Sequence, residues 1–202
     1  SYKKLDFDKK NCIVLIMEAI KKIEISQIVK IFLIAIFGTL LLTISAKIKI
    51  PFYPVPMTMQ TFVVLLLGIT LGPKIGFLTT SLYLFEGIFG LPVFAGTPEK
   101  GIGLVYFTGP TMGYLIGFLL ATYFAGIFKY DKGIINTFIK LIFSVSLIYI
   151  LGLLWLGILI GWEKPIFKFG AQPFLLAELF KILLLSILVP TLVKVKKIIK
   201  IT

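Results

Sequence analysis

The sequence has no arginine, no histidine and a single cysteine, Cys12, among its 202 residues. One thiol cannot close an internal disulfide, and without histidine a transition-metal centre lacks most of its usual nitrogen and sulfur ligands. The absence of histidine also excludes Ser-His-Asp and Cys-His catalytic groups. There is no G-x-x-x-x-G-K-[ST] segment, so the chain has no P-loop for ATP. We therefore expect no metal and no cofactor, and we do not expect an enzyme.

Apolar residues make up 58% of the chain, and charged residues only 15%. The mean hydropathy is +1.05, and the charges lie mostly between apolar runs. This distribution is typical of an integral membrane protein. A chain of this length allows about six spans of roughly 20 residues with short connections. We predict an all-α integral membrane protein with six transmembrane helices.

Proline and glycine mark the limits of several spans. Pro51, Pro54 and Pro56 forbid regular helix after the first apolar run, and Gly72-Pro73 ends the second. Thr108, with Pro110 in the first turn, is a start signal for the fourth. The candidate spans cover residues 31–45, 57–71, 75–90, 108–128, 134–160 and 173–193. We expect residues 1–30 to be a cytoplasmic or interfacial amphipathic segment, 31–193 the membrane domain, and 194–202 a basic cytoplasmic tail.

The lysines predict the orientation of these spans. The net charge of +12 comes entirely from lysine, which in a membrane protein marks the cytoplasmic side rather than a nucleic-acid surface. With six spans and both termini inside, the inner segments hold 14 lysines and the outer segments five. We therefore predict that both termini are cytoplasmic. The outer side then carries three loops, residues 47–56, 91–107 and 161–172.

Two opposite charges interrupt the last apolar run, FLLAELFKILLL. Glu178 and Lys181 are three residues apart, so they share one helix face, and a charge at the centre of a span costs about 2.5–3.5 kcal/mol. They form either a self-satisfied ion pair near the outer interface or a site for a small polar molecule. Gln60 offers a donor and an acceptor near the same side, for a ligand or for the broken backbone before it. Phe94 and Tyr114 are candidate aromatic walls.

Several separate segments resemble the BioY family, the biotin-specific substrate-capture (S) components of energy-coupling-factor (ECF) transporters. They are IPFYPVPMTMQTFVVLLLG, LGPKIG, GLPVFAG and GPTMGYLIGF, in this order, and the resemblance covers about residues 31–193. It implies high-affinity capture and uptake of biotin across the bacterial cytoplasmic membrane. It also implies partners: a transmembrane coupling subunit and two cytoplasmic ATPase subunits. The family has six membrane helices with cytoplasmic termini, in agreement with the lysine distribution.

The resemblance implies which residues hold the ligand. The last helix of the family reads P-F-L-x-G-D-x-x-K, and its acid and lysine help to hold biotin. Here PFLLAELFK places Glu178 at the acid and Lys181 at the lysine. Because glutamate is one methylene longer than aspartate, we rank Lys181 above Glu178 as a direct ligand contact. Gln60, Phe94, Gly96 and Tyr114 complete the predicted ligand-binding set.

Ala35, Thr39 and Thr43 form a small-residue stripe at spacing four on the first span. Such a stripe lets another helix approach closely, and internal packing explains it as well as docking does. By analogy with the family, we predict that it docks the coupling subunit. Two other functions stay open: an S component for another vitamin, and a membrane-embedded enzyme that uses Glu178 as a base.

Overall fold

The structure, a computed structural model, describes the backbone of residues 2–50, 54–55 and 57–199. It describes the side chains of residues 25–49, 54–55 and 57–193. Ser1, four positions of the predicted loop 47–56 and the last three residues of the predicted tail lie outside this range. The side chains of the predicted amphipathic segment up to residue 24 also lie outside it, so that prediction stays a prediction.

The described chain is mostly helical. A two-residue antiparallel ribbon, which pairs Lys49 with Thr58 and Ile50 with Met57, joins the first two long helices. In chain order the elements are α1 Tyr2–Lys47, β1 Lys49–Ile50, β2 Met57–Thr58, α2 Gln60–Ile88, α3 Leu104–Phe107, α4 Met112–Ile127, α5 Gly133–Ile160, α6 Ile166–Gly170, a 3₁₀ turn Gln172–Phe174 and α7 Leu175–Ile199.

Four stretches of the described chain are long and apolar enough to cross a membrane, and α4 is a shorter apolar helix. The protein is therefore a multi-pass helical membrane protein, as its composition predicted. The four stretches are Ile25–Lys47, Gln60–Ile88, Gly133–Ile160 and Ile166–Val193.

The element α2 is two helical arms that fold back on each other at Gly72. This glycine has φ 78° and ψ 176°, a backbone conformation that other residues rarely adopt, and Pro73 follows it. A Cβ on Gly76 would lie 3.3 Å from the Cα of Gly68, eight residues earlier. A straight helix would separate these residues by about 12 Å. The predicted boundary at Gly72-Pro73 is therefore confirmed, and the arms are residues 60–71 and 73–88.

One predicted helix start was wrong, and two predicted domain limits fall inside continuous helices and stay predictions. Helix α1 runs without a break through residue 31, because neither proline nor glycine interrupts it there. Helix α4 begins at Met112 rather than at Thr108, since Thr108 ends α3 and donates its backbone N–H to the Val105 carbonyl. Helix α7 continues to Ile199, so residues 194–199 of the predicted separate tail belong to it.

Glycines let the turn of α2 pack directly on α4. A Cβ on Gly126 would touch the Pro73 nitrogen and would lie 2.6 Å from the Gly72 carbonyl carbon. The same absence of a side chain at Gly68 admits the Thr122 carbonyl of α4. This close approach of small residues is a common way to pack helices in a membrane. It also brings the first residues of α2 to the side of the molecule where α7 begins.

We expect Gly126→Ala to destabilise the protein by about 1–3 kcal/mol, because the added methyl group meets backbone atoms that have no room to move. Thermal unfolding in detergent measures the change. Ile116→Val, on the exposed face of the same helix, serves as the control and should have little effect. Equal unfolding temperatures for Gly126→Ala and wild type would contradict this account of the turn.

Candidate functional site

Glu178 and Lys181 form a buried ion pair at the start of α7. The Lys181 Nζ lies 2.7 Å from Glu178 Oε1, and the two residues are 8% and 5% exposed respectively. The ammonium also donates to the Thr58 carbonyl at 2.6 Å and to Thr61 Oγ1 at 3.1 Å. Thr61 Oγ1 in turn donates to Glu178 Oε1 at 2.9 Å. The three hydrogens of the ammonium are thus used within the protein.

Local sequence explains why these groups meet. Pro173 lies in the 3₁₀ turn before α7, and Glu178 falls in the first turn of that helix, where the helix dipole favours an acid. On the other side, the ribbon delivers Thr58 to the start of α2, and Thr61 lies in its first turn. The network therefore joins the beginnings of two helices that lie about 120 residues apart in sequence.

A cavity lies directly against this network. Its volume is about 550 Å³, including the part open to solvent. Aliphatic and aromatic side chains form much of its wall, and the polar groups are mostly hydroxyls, one amide and one carboxylate. The lining residues are Val55, Met57, Thr58, Gln60, Thr61, Ala95, Tyr106, Thr111, Tyr114, Leu115, Phe118, Ile148, Tyr149, Phe174 and Glu178.

The Glu178 carboxylate has one oxygen, Oε2, that the ion-pair network does not use. Glu178 Oε1 is held by Lys181 and Thr61, whereas Oε2 is buried and has no hydrogen-bond partner of ordinary geometry among the described residues. The Tyr149 hydroxyl lines the same cavity and lies close enough to this carboxylate to interact with it both electrostatically and as a hydrogen-bond donor. A buried, unpaired acceptor is costly. Glu178 therefore presents a strong acceptor for an N–H or O–H donor, and Lys181 supports it from behind.

Gln60 links the cavity to the loop at residues 91–97. Its Nε2 donates to the Tyr83 hydroxyl at 2.8 Å, and that hydroxyl donates to the Val93 carbonyl at 3.0 Å. Among the described residues the Gln60 side chain thus bonds to Tyr83 of the second arm of α2, and its Oε1 also accepts from Thr58 Oγ1 at 3.3 Å. Tyr106 Oη donates to the Ala95 carbonyl at 2.8 Å, and burial raises the pKa of Tyr106, which keeps this donor protonated.

The other predicted ligand contacts lie at different distances from the cavity. Tyr114 lines it and donates its hydroxyl to the Gly170 carbonyl at 2.8 Å. Phe94 lies behind the wall and stacks on Tyr106 with ring centres 4.8 Å apart. Gly96 has φ 80° and packs against the Lys100 side chain, outside the lining. The structure therefore brings Glu178, Gln60 and Tyr114 to one cavity and places Phe94, Gly96 and Lys181 around it.

The small-residue stripe faces the interior of the chain. Ala35 and Thr39 are each 2% exposed, and Thr43 is half-buried. Thr39 Oγ1 donates to Glu86 Oε1 of α2 at 2.9 Å. In the chain by itself the stripe thus packs internally, which is the alternative that the spacing left open. The predicted docking role stays a prediction and gains no support from this packing.

Sequence reasoning missed Thr58, Thr61, Tyr83 and Lys47. The threonines are short polar residues in an apolar chain, and nothing in their spacing connects them with the last helix. Tyr83 is one of eight tyrosines, with no local signal to separate it from packing residues. Lys47 was counted only for topology, although it sits at a helix end beside the proline-rich segment.

Long apolar helices, a buried charge network and a partly polar cavity define a helical membrane protein with room for a small molecule within its bundle. Comparison with known proteins makes this specific. The model of the BioY family matches residues 17–198, which is most of the chain. The chain belongs to the BioY family, and the resemblance seen in its motifs is confirmed.

Curated relatives and a solved structure agree with this assignment. The probable biotin transporter BioY of Pyrococcus horikoshii is 36% identical over 75% of this chain and 88% of its own length. The biotin transporter BioY of Thermotoga maritima is 33% identical over 78% of this chain and 92% of its own length. The crystal structure of the S component for biotin from an ECF-type ABC transporter superposes with a TM-score of 0.70 and 26% identity, over 84% of this chain and 93% of that one. These relatives are transport proteins, so the reading as a membrane enzyme is set aside.

The ion pair should behave as one unit. We expect Lys181→Met to lower the free energy of unfolding by about 3–5 kcal/mol, because it leaves the buried Glu178 carboxylate without its counter-charge. The double variant Glu178→Gln/Lys181→Met removes both charges and should recover most of that loss. Unfolding in detergent measures both. A double variant no more stable than Lys181→Met would contradict the coupling.

Proposed function

We propose that this protein captures biotin as the S component of an ECF-type ABC transporter and delivers it across the cytoplasmic membrane. The observation that carries the proposal is the Glu178 carboxylate, which is buried at the cavity wall; Lys181 and Thr61 hold its Oε1, and its Oε2 has no hydrogen bond of ordinary geometry among the described residues. Membership of a family whose curated members are named biotin transporters supports it.

The chemistry of biotin fits the cavity. Its ureido ring carries two N–H donors and one carbonyl, and Glu178 Oε2 is the acceptor for an N–H. Charge-assisted bonds of this kind are stronger than bonds between neutral groups. The hydroxyls of Tyr114 and Tyr149 line the same wall, as do Phe118 and Ile148, which suit the thiophane ring and the aliphatic part of the tail. Lys181 acts indirectly, by holding the Glu178 carboxylate in place.

Six membrane crossings fit the topology best, because each of the two arms of α2 crosses the membrane once. Together with α1, α4, α5 and α7 they form six apolar helical segments, and 14 lysines fall on the inner side against five on the outer. Both termini are then cytoplasmic, and the cavity opens near the outer face. Biotin enters from outside. Because this chain has no P-loop, the coupling subunit and two ATPases supply the energy for transport.

Purified protein should bind biotin, and Glu178→Gln should weaken the binding by about 10- to 100-fold, since a hydrogen bond to a charged group contributes about 1.5–3 kcal/mol. Calorimetric titration in detergent measures the affinity. Glu86→Gln is the matched control, because Glu86 is also a hydrogen-bonded carboxylate but does not line the cavity; its affinity should equal that of wild type.

Ala95→Leu gives a second readout that leaves the charges intact. Ala95 lines the cavity and is 3% exposed, so a larger side chain takes up ligand space. Biotin binding should fall while the ion pair stays in place. A wild-type protein that binds thiamin or riboflavin but not biotin would contradict the proposed function and favour an S component for another vitamin.

A further inference from the structure

A lysine at the end of α1 holds the loop at residues 91–97 in place. The Lys47 Nζ lies within hydrogen-bond distance of four oxygens of this loop. They are the carbonyls of Pro92 at 2.8 Å, Phe94 at 3.1 Å and Thr97 at 3.2 Å, and Thr97 Oγ1 at 3.1 Å. An ammonium has three hydrogens, so these oxygens occupy all of them.

The other side-chain anchors of the loop lie in the core. Tyr83 and Tyr106 donate to the carbonyls of Val93 and Ala95, and they are 0% and 4% exposed. They belong to the packed cluster that also contains Phe94. Lys47 differs from them because it is exposed and comes from the end of α1. Lys47 bonds to Pro92 and Thr97, which lie on either side of the Val93–Ala95 segment that the tyrosines hold.

The loop that Lys47 holds forms part of the cavity wall. Ala95 lines the cavity directly, and Tyr106 lines it while donating to the Ala95 carbonyl. Movement of residues 92–97 away from α1 would therefore open the wall. Such movement must break the Lys47 contacts, which are charge-assisted hydrogen bonds to the loop carbonyls of Pro92, Phe94 and Thr97.

We propose that Lys47 is the positioning residue that latches the loop at residues 91–97 over the cavity and thereby sets how slowly the bound ligand leaves. The latch rests on the proposed function, because its effect on transport is exerted on the ligand of that cavity. Lys47 acts through the loop backbone and does not itself line the cavity. Its contribution should therefore appear in the dissociation rate rather than in the association rate.

The test compares Lys47→Met, Lys47→Gln and Lys49→Met with wild type. Lys49 is the matched control: it is a neighbouring exposed lysine that interacts electrostatically with Lys47, and it makes no side-chain hydrogen bond within the described residues. Release of labelled biotin from protein in nanodiscs, after addition of excess unlabelled biotin, gives the dissociation rate. We expect Lys47→Met to release biotin about tenfold faster or more. Lys47→Gln keeps hydrogen-bond donors but loses the charge, so its dissociation rate should lie between those of wild type and Lys47→Met. The dissociation rate of Lys49→Met should equal that of wild type.

Hydrogen–deuterium exchange on the protein without biotin tests the latch separately from the ligand. The amides of Thr97 and Lys100 bond to the carbonyls of Phe94 and Gly96 within the loop, so Lys47→Met should speed their exchange and leave the exchange of α5 unchanged. Unaltered exchange and unaltered biotin release in both Lys47 variants would overturn the proposal. Equal acceleration of release in Lys49→Met would also overturn it, because loss of any positive charge at the rim would then suffice. Failure of wild type to bind biotin would count against the proposed function, and exchange would still decide the latch.

Discussion

The buried pair of Glu178 and Lys181 is the constraint on which the site depends. Two charges inside an apolar bundle are tolerated only when each has partners. Those partners are Thr58, at the end of β2, and Thr61, in the first turn of α2. The pair thus ties α7 to α2 and sets the position of the cavity wall. Because the lysine uses all its hydrogens on protein oxygens, the spare bonding capacity of the network lies on the carboxylate.

The Lys181 ammonium and the Glu178 carboxylate have different roles in the network. The ammonium, whose hydrogens are all used by protein oxygens, orients the carboxylate through Oε1. This fixed orientation is the kind of preorganisation that lowers the cost of binding. The turn at Gly72 serves the same end, because folding α2 back on itself brings Tyr83 to Gln60. From there a hydrogen-bonded relay reaches the carbonyl of Val93 in the loop. Cavity and loop are therefore parts of one polar framework.

Features encoded locally were predictable from the sequence. A glycine and a proline in succession mark the turn at Gly72, and two charges in an apolar run mark Glu178 and Lys181. Which of the two charged groups is better placed to contact a ligand was not predictable, because it depends on hydroxyl and carbonyl groups about 120 residues away in sequence. The inward direction of Ala35 and Thr39 likewise depends on which helix packs against α1. Spacing shows that residues share a face, but not what that face meets.

The central claim is that the Glu178 carboxylate is the ligand's buried acceptor and that Lys181 supports it. A structure of this protein with biotin bound tests the claim most directly. The account predicts a ureido N–H within hydrogen-bond distance of Glu178 Oε2, with Lys181 still bonded to Thr58 and Thr61. Biotin bound to the Lys181 ammonium, with the Glu178 carboxylate turned out of the cavity, would contradict it.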